Sequence, residues 1–344
     1  MAPAAALRRA LLVGRAYARH MTAAPSSLDP DAAAFLEQVN AAGAPAVQDG
    51  TPEQARAAHL GSAARVAGPG ERVEQVSDGM ADGVPVRIFV PAGARGVTVY
   101  LHGGGWVVGT LESYDTLCRA VANSSQTTVV AVGYDLAPEA QHPVQLQQVA
   151  TVLRWIRREI TADEPLLLAG DSAGGYLAVL AADEAVGAGL PVAGMALVYP
   201  VVAPPGEGSV AEGTVVEGTG AEGSAAEGSA AAGSMQVFAS GHYLDAEAMR
   251  WYWRAYAPDG APAAYDLELS TLPPTLVITA GHDVLRDEGV ELAERLAAAG
   301  VAVKHHPFPG QIHGFMRLTA LVGQSRDALD LVGAFLAQRV ANGG

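Results

Sequence analysis

The segment Gly170-Asp171-Ser172-Ala173-Gly174-Gly175 sets one serine between glycines at the G-x-S-x-G spacing. The apolar run Leu166 to Ala169 leads into it and a helical pattern from Gly174 leads out. That strand–turn–helix setting is the one a nucleophile elbow requires. The glycines relieve crowding at a sharp turn, the Ser172 hydroxyl is pushed outward, and the helix N-terminus directs its dipole at the reacting centre. A second segment, Leu101-His102-Gly103-Gly104-Gly105-Trp106, follows the apolar run Val97 to Leu101. Its consecutive glycines leave backbone N–H groups uncovered, so two of them can point at a developing oxyanion, with the Ala173 amide as a third donor. This is acyl-transfer chemistry. A serine alkoxide needs a base, and the base needs an orienting acid. The expected order along the chain is serine, acid, histidine. Asp283 stands in the loop past the apolar run Thr275 to Ala280, and Asp287, one helical turn later, is expected to cap the helix. His313 lies in the Gly-flanked segment Gly310-Gln311-Ile312-His313-Gly314-Phe315, as a mobile base would.

The other histidines fit this role less well. His282 adjoins Asp283, and neighbours in a tight loop rarely face each other. His305 and His306 lie on or beside a strand and precede Pro307. These three are read as surface or structural residues. His142 lies between a strand and a helix, and His242 follows a low-complexity stretch. No H-E-x-x-H or close His/Asp cluster suggests zinc, and no P-loop or G-x-G-x-x-G suggests nucleotide binding. The single cysteine, Cys118, rules out an internal disulfide and reads as a small apolar filler.

The elements that must position these residues follow from periodicity. Val73 to Val76 and Val84 to Val90 are short β-type runs. Val97–Leu101, Thr127–Tyr134, Leu166–Ala169, Met195–Tyr199, Thr275–Ala280 and Val301–Lys304 continue the series. Continuous apolar runs suit strands buried on both faces. Helical patterns at Leu111–Ala122, Val144–Ile160, Gly174–Val186 and Asp287–Ala299 alternate with them. The alternation predicts an α/β fold, a mostly parallel central sheet with helices on both faces. In such sheets ligands bind at the carboxyl ends of the strands, where the residues above fall. Residues 29–65 precede any strand and read as two added helices. Asp29-Pro30-Asp31 starts one, and Thr51-Pro52-Glu53-Gln54 starts the other with a capping box.

The chain of 344 residues is half hydrophobic with a net charge of -15, so it can bury a large core and is a poor nucleic-acid binder. No apolar run reaches the roughly 18 residues of a membrane span. Residues 1–28 read as a flexible extension, or as a start placed upstream of Met21, and a cytoplasmic location is expected. Residues 207–231 repeat EGSVA, EGTVV, EGTGA, EGSAA and EGSAA. With no large apolar side chain beyond Val, this segment is expected to be a disordered loop. Replication slippage accounts for it; alternatively it makes the entrance to the site more open and mobile. Its glutamates, Glu207, Glu212, Glu217, Glu222 and Glu227, leave about -10 for the rest of the chain.

Taken together, HGGGW at 102–106, GDSAGG at 170–175, the Asp283 loop and His313-Gly314-Phe315 resemble the bacterial hormone-sensitive-lipase-like carboxylesterases, of the α/β-hydrolase fold. Leu136-Ala137-Pro138-Glu139 and Met249-Arg250-Trp251-Tyr252-Trp253 extend the match. The resemblance implies Ser172 as nucleophile, Asp283 as acid and His313 as base. It implies an oxyanion hole from the amides of Gly103, Gly104 and Ala173, with His102, Gly105, Trp106, Asp171 and Asp287 in support. It implies a catalytic domain at 70–202 and 259–344, with a helical cap built from 29–65 and from 203–258. Short- to medium-chain acyl esters are the implied substrates, without metal or cofactor. Three residues depart from the pattern: Asp135 stands where an Arg is usual, Val284 where a Pro is frequent and Tyr176 where an Asn is common. An amide or N-acetyl hydrolase with the same triad is the alternative within enzymes, and a small-molecule receptor on the same fold is the alternative outside them. The expected partner is a small ester. Whether the chain self-associates is left open.

Overall fold

The structure is a computed structural model that describes residues 27–43, 45–205 and 233–342. The repeat at 207–231 and nearly all of the N-terminal extension lie outside the described residues. Helices α1 (Pro30–Ala42) and α2 (Pro52–Ala67) begin where the start signals stand. The Asp29 carboxylate accepts the Asp31 N–H at 2.9 Å, and Thr51 and Gln54 close a reciprocal capping box. Each such cap satisfies backbone donors that the first turn leaves unpaired.

Eight strands form one sheet: β1 (Gln75–Ala81), β2 (Val84–Val90), β3 (Val97–Leu101), β4 (Thr128–Val132), β5 (Leu166–Asp171), β6 (Gly194–Val198), β7 (Thr275–His282) and β8 (Val303–Ile312). The spatial order is β1-β2-β4-β3-β5-β6-β7-β8, and β2 alone is reversed. The chain leaves β3 for β4 on one side and then returns to β5 on the other. The order therefore switches at the β3–β5 pair, where Leu101 stands opposite Gly170. In such sheets ligands bind at the carboxyl ends of the strands at such a point, and the His102 and Ser172 segments both begin there.

Helices α3 (Asp115–Ser125), α4 (Val144–Glu159), α5 (Ala173–Gly187), α8 (Arg286–Ala298) and α9 (Gln324–Asn342) cover the two faces, with α6 (Ser234–Val237) and α7 (Ala246–Tyr256) between β6 and β7. Alternate residues of β3 feed opposite cores, as a period of two requires. Val97, Val99 and Leu101 pack with Leu146 of α4, Leu177 of α5 and Leu292 of α8. Tyr100 packs with Leu117 of α3 and with Leu329 and Leu336 of α9. Cys118 is fully enclosed in that second core, where burial pushes its thiol pKa well up.

β8 extends to Ile312, eight residues beyond the predicted end at Lys304. Pro307, Pro309 and Gly310 disguise it in the sequence. An edge strand tolerates proline, because the missing donor would face outward, and β8 pairs with β7 alone.

Arg56 of α2 ties the N-terminal helices to the sheet's upper loops. Its guanidinium donates to the carbonyls of Val107 at 2.9 Å and Ala137 at 2.8 Å, and it pairs with Glu139. Arg56→Met strips both carbonyls of their partner and is expected to cost about 1–3 kcal/mol. A thermal melt reads this as a lowered Tm; an unchanged Tm refutes the anchoring role.

Candidate active site

Ser172 sits at the sharp turn from β5 into α5, with φ +54° and ψ −121°. A non-glycine residue holds that conformation only when its surroundings fix it. Here the Ser172 N–H donates to Val198 O at 2.9 Å, and its carbonyl accepts from Gly175 at 3.0 Å and Val201 at 3.1 Å. Gly174 is obligatory for a different reason: a Cβ there would lie 1.9 Å from the Leu101 carbonyl oxygen. The α5 backbone can therefore press against the end of β3.

His313 comes from the loop that ends β8, and Asp283 from the loop that ends β7. His313 Nε2 is 2.9 Å from Ser172 Oγ, and His313 Nδ1 is 2.7 Å from Asp283 Oδ2. A carboxylate accepts, so Nδ1 carries the proton and Nε2 is left to accept the serine hydroxyl. The second oxygen, Asp283 Oδ1, accepts the Leu285 N–H at 2.9 Å. Asp283 is 1% exposed, while Ser172 and His313 are 6% and 7% exposed. Asp283 is thus sealed, while Ser172 and His313 both touch the surface. The chain brings together three residues that lie 141, 30 and 111 positions apart in pairs only because β5, β7 and β8 end on one side of the sheet.

The glycine-rich loop after β3 is braced on both sides. The Tyr134 hydroxyl donates to His102 O at 2.6 Å, and its ring stacks on the His102 imidazole at 4.2 Å. Burial drives the His102 pKa down to about 4, although its bond to the Gly103 carbonyl works the other way. His102 is therefore a neutral strut. Asp171 is 2% exposed and accepts three hydrogen bonds, from Tyr100 at 2.9 Å, Tyr114 at 2.9 Å and the Gly103 N–H at 3.1 Å. Burial raises its pKa, and Arg317 and those three donors pull it back.

The Gly103 contact corrects the expected oxyanion hole. An N–H already donated to a buried carboxylate is not available to a reacting oxygen. Among the described residues, the N–H groups of Gly104, Gly105 and Ala173 have no acceptor. Gly104 and Gly105 have φ +114° and +57°, and the Gly104 carbonyl accepts from Val107 and Val108, which closes the turn. Trp106 then anchors the loop, fully buried and stacked on Tyr256 of α7 at 4.1 Å.

Asp287 is also corrected. It lies within the first turn of α8, whose N-cap position is Leu285, and its carboxylate accepts the Ser234 N–H at 2.7 Å. It fastens the start of α6 to α8 instead of capping its own helix. Of the other histidines, buried His282 stacks on His242 at 5.7 Å, His305 contacts Thr279 and His142 contacts Tyr256. The three departures are absorbed locally. Asp135 accepts from Gln148 at 2.8 Å, Val284 is buried, and the Tyr176 hydroxyl donates to Pro262 O at 2.6 Å. Sequence reasoning missed the tyrosines that hold Asp171 and His102, since nothing near them in the chain marks their partners.

A family model described as the alpha/beta hydrolase fold matches residues 98–317. A Pseudomonas putida protein named ethyl acetate hydrolase is 30% identical over 343 aligned positions, covering 91% of this chain and 100% of the relative. The Mycobacterium tuberculosis carboxylesterase NlhH is 33% identical over 270 positions, 73% of this chain and 76% of its own. This chain belongs to the hormone-sensitive-lipase-like family of α/β hydrolases. An esterase from Pyrobaculum calidifontis superposes on this hydrolase with a TM-score of 0.77 at 28% identity, over 90% of this chain and 98% of that one. An ester hydrolase from the Lake Arreo metagenome, solved with a bipyridine phosphonate derivative, does so with a TM-score of 0.79 at 29% identity, over 91% and 99%. The expected fold is thereby established for the hydrolase. Among its described residues, no helix is long and apolar enough to cross a membrane.

Proposed function

We propose that this carboxylic-ester hydrolase works through Ser172, Asp283 and His313 and a covalent acyl-enzyme. Ser172 Oγ attacks the ester carbonyl while His313 Nε2 takes its proton. The carbonyl oxygen becomes an oxyanion and receives the N–H groups of Gly104, Gly105 and Ala173. The imidazolium, held in place by Asp283, gives the proton to the departing alkoxide. Water, activated by His313, then cleaves the acyl-enzyme and restores the serine. The observation that carries this reading is the pair of contacts on His313, 2.9 Å to Ser172 and 2.7 Å to Asp283. They give nucleophile, base and acid the geometry that general-base activation needs.

Short- to medium-chain acyl esters are the proposed substrates, and an enclosed aromatic cluster behind the oxyanion loop supports a limited acyl length. Trp106, Tyr176 and Tyr256 in that cluster are fully buried, with Trp253 5% exposed. Residues 29–65 and 203–258 are proposed as the cap: in the described parts, Arg56 and Tyr256 contact the loop after β3. The proposed location is cytoplasmic. The test is hydrolysis of 4-nitrophenyl acetate through hexanoate; no turnover at any acyl length would sink the esterase reading.

Gly105 offers a sharper probe of the revised oxyanion hole. A Cβ there would stand 2.2 Å from the Tyr252 ring, on a backbone at φ +57°. Gly105→Ala must move the loop and is expected to lower kcat about 10²–10³-fold, the usual effect of losing one donor. A steady-state assay that finds kcat within threefold of wild type refutes the assignment of Gly105.

A further inference from the structure

Arg317 follows His313 by four residues, in the short 3₁₀ turn Phe315–Arg317. Other arginines of the described chain, such as Arg87, Arg119 and Arg295, meet carboxylates. Arg317 has no carboxylate and no hydrogen-bond acceptor for its guanidinium among the described residues. It lies half-buried against a ring face, with Cζ 4.8 Å from the Tyr114 centroid. The opposite end of Tyr114 donates to Asp171, the residue before Ser172. Asp171 spends its oxygens on Tyr100, Tyr114 and Gly103, so it does not neutralise Arg317 by contact.

The surroundings place this charge beside the reacting centre. Tyr243 and Tyr252 both feel its charge. Tyr252 covers Gly105 of the oxyanion loop, and Tyr243 lies against Gly314, next to the base. Residues that feel the Arg317 charge thus touch both the glycine-rich loop and the segment after His313. His59 of α2 is near the same charge and stacks on Tyr114 at 6.3 Å, and its buried Nε2 has no hydrogen-bond partner. Burial, with the Arg317 charge in support, pushes the His59 pKa down to about 2. His59 therefore adds no positive charge of its own and remains a neutral ring with an unsatisfied nitrogen.

A half-buried guanidinium with its donors unfilled is matched by a carboxylate, which fits its planar fork in a bidentate pair. We propose that Arg317, with His59 beside it, is a subsite for a carboxylate carried by the ester substrate. The inference rests on the esterase reading and names a substrate class for it: esters that keep a free acid group away from the scissile bond. The acid group can reach the subsite from the acyl side or from the alcohol side, and the assay separates these.

Two substrate pairs are compared in wild type, Arg317→Gln and Arg317→Lys. On the alcohol side, 4-acetoxybenzoate is set against its methyl ester. On the acyl side, 4-nitrophenyl hydrogen adipate is set against 4-nitrophenyl hexanoate. In at least one pair, the charged-to-neutral ratio of kcat/KM is expected to fall tenfold or more in Arg317→Gln, mostly through KM, and to recover in part in Arg317→Lys. Neutral esters are expected to keep their kcat within threefold. Ratios that are equal in wild type and Arg317→Gln for both pairs overturn the subsite. Loss of 4-nitrophenyl acetate hydrolysis by wild type itself would instead overturn the esterase reading. Should neither variant fold, inhibition of wild type decides: benzoate must compete with 4-nitrophenyl acetate at least tenfold better than benzamide, and less well as salt is added. Equal inhibition by the two overturns the proposal.

Discussion

Ser172→Ala is expected to lower kcat by about 10⁴–10⁶-fold, the range seen when a triad nucleophile is removed. The change deletes one oxygen from a position that is 6% exposed, so the fold should tolerate it. The Ser172 turn is held by its backbone, through Val198, Gly175 and Val201, and not by its hydroxyl. Thermal stability is therefore expected to match wild type within experimental spread. Residual hydrolysis above the uncatalysed rate would come from the oxyanion donors alone. A fluorophosphonate probe should label wild type at Ser172 and leave the variant unlabelled. Labelling of Ser172→Ala at another residue, with activity kept, would show that a different nucleophile does the chemistry.

Asp283→Asn is expected to cost about 10⁴ in kcat, and for a reason specific to this loop. Asp283 Oδ1 accepts the Leu285 N–H, so the oxygen of an asparagine is required on that side. Its NH₂ then takes the place of Oδ2 and faces His313 Nδ1, 2.7 Å away. Two donors cannot share that space. The imidazole must give up the Nδ1 proton and carry it on Nε2, where it points at Ser172 Oγ. A protonated Nε2 cannot take the serine proton. The measurement is kcat at neutral pH alongside a thermal melt, and a loss under tenfold in a folded variant would sink the role given to Asp283.

Much of this site was legible because its signals are local. The Ser172 elbow and the His102 loop each need a strand before them and special backbone after them, and both demands are written in adjacent residues. Asp283 and His313 were legible from their positions after strands. What failed to show depends on contacts between distant segments. Nothing around Gly103 announces that Asp171, 68 residues on, takes its N–H. Asp287 carries the composition of a cap, yet Ser234 claims its carboxylate. The full length of β8 is hidden because prolines look like strand breakers unless the strand is known to be an edge. Arg317 resembles any surface arginine until its place on the Tyr114 ring is seen.

The Asp171 carboxylate joins β5, β3 and α3 through Gly103, Tyr100 and Tyr114. The Ser172 turn and the glycine-rich loop are thus riveted into one part. The walls proposed for the substrate come from elsewhere, from α2, α7 and the turn after His313. Mutation in those walls can redraw the choice of ester without loosening the rivet. A lineage built this way can change its diet while its bond-breaking apparatus stays still, and directed evolution of this hydrolase should find its gains in the walls.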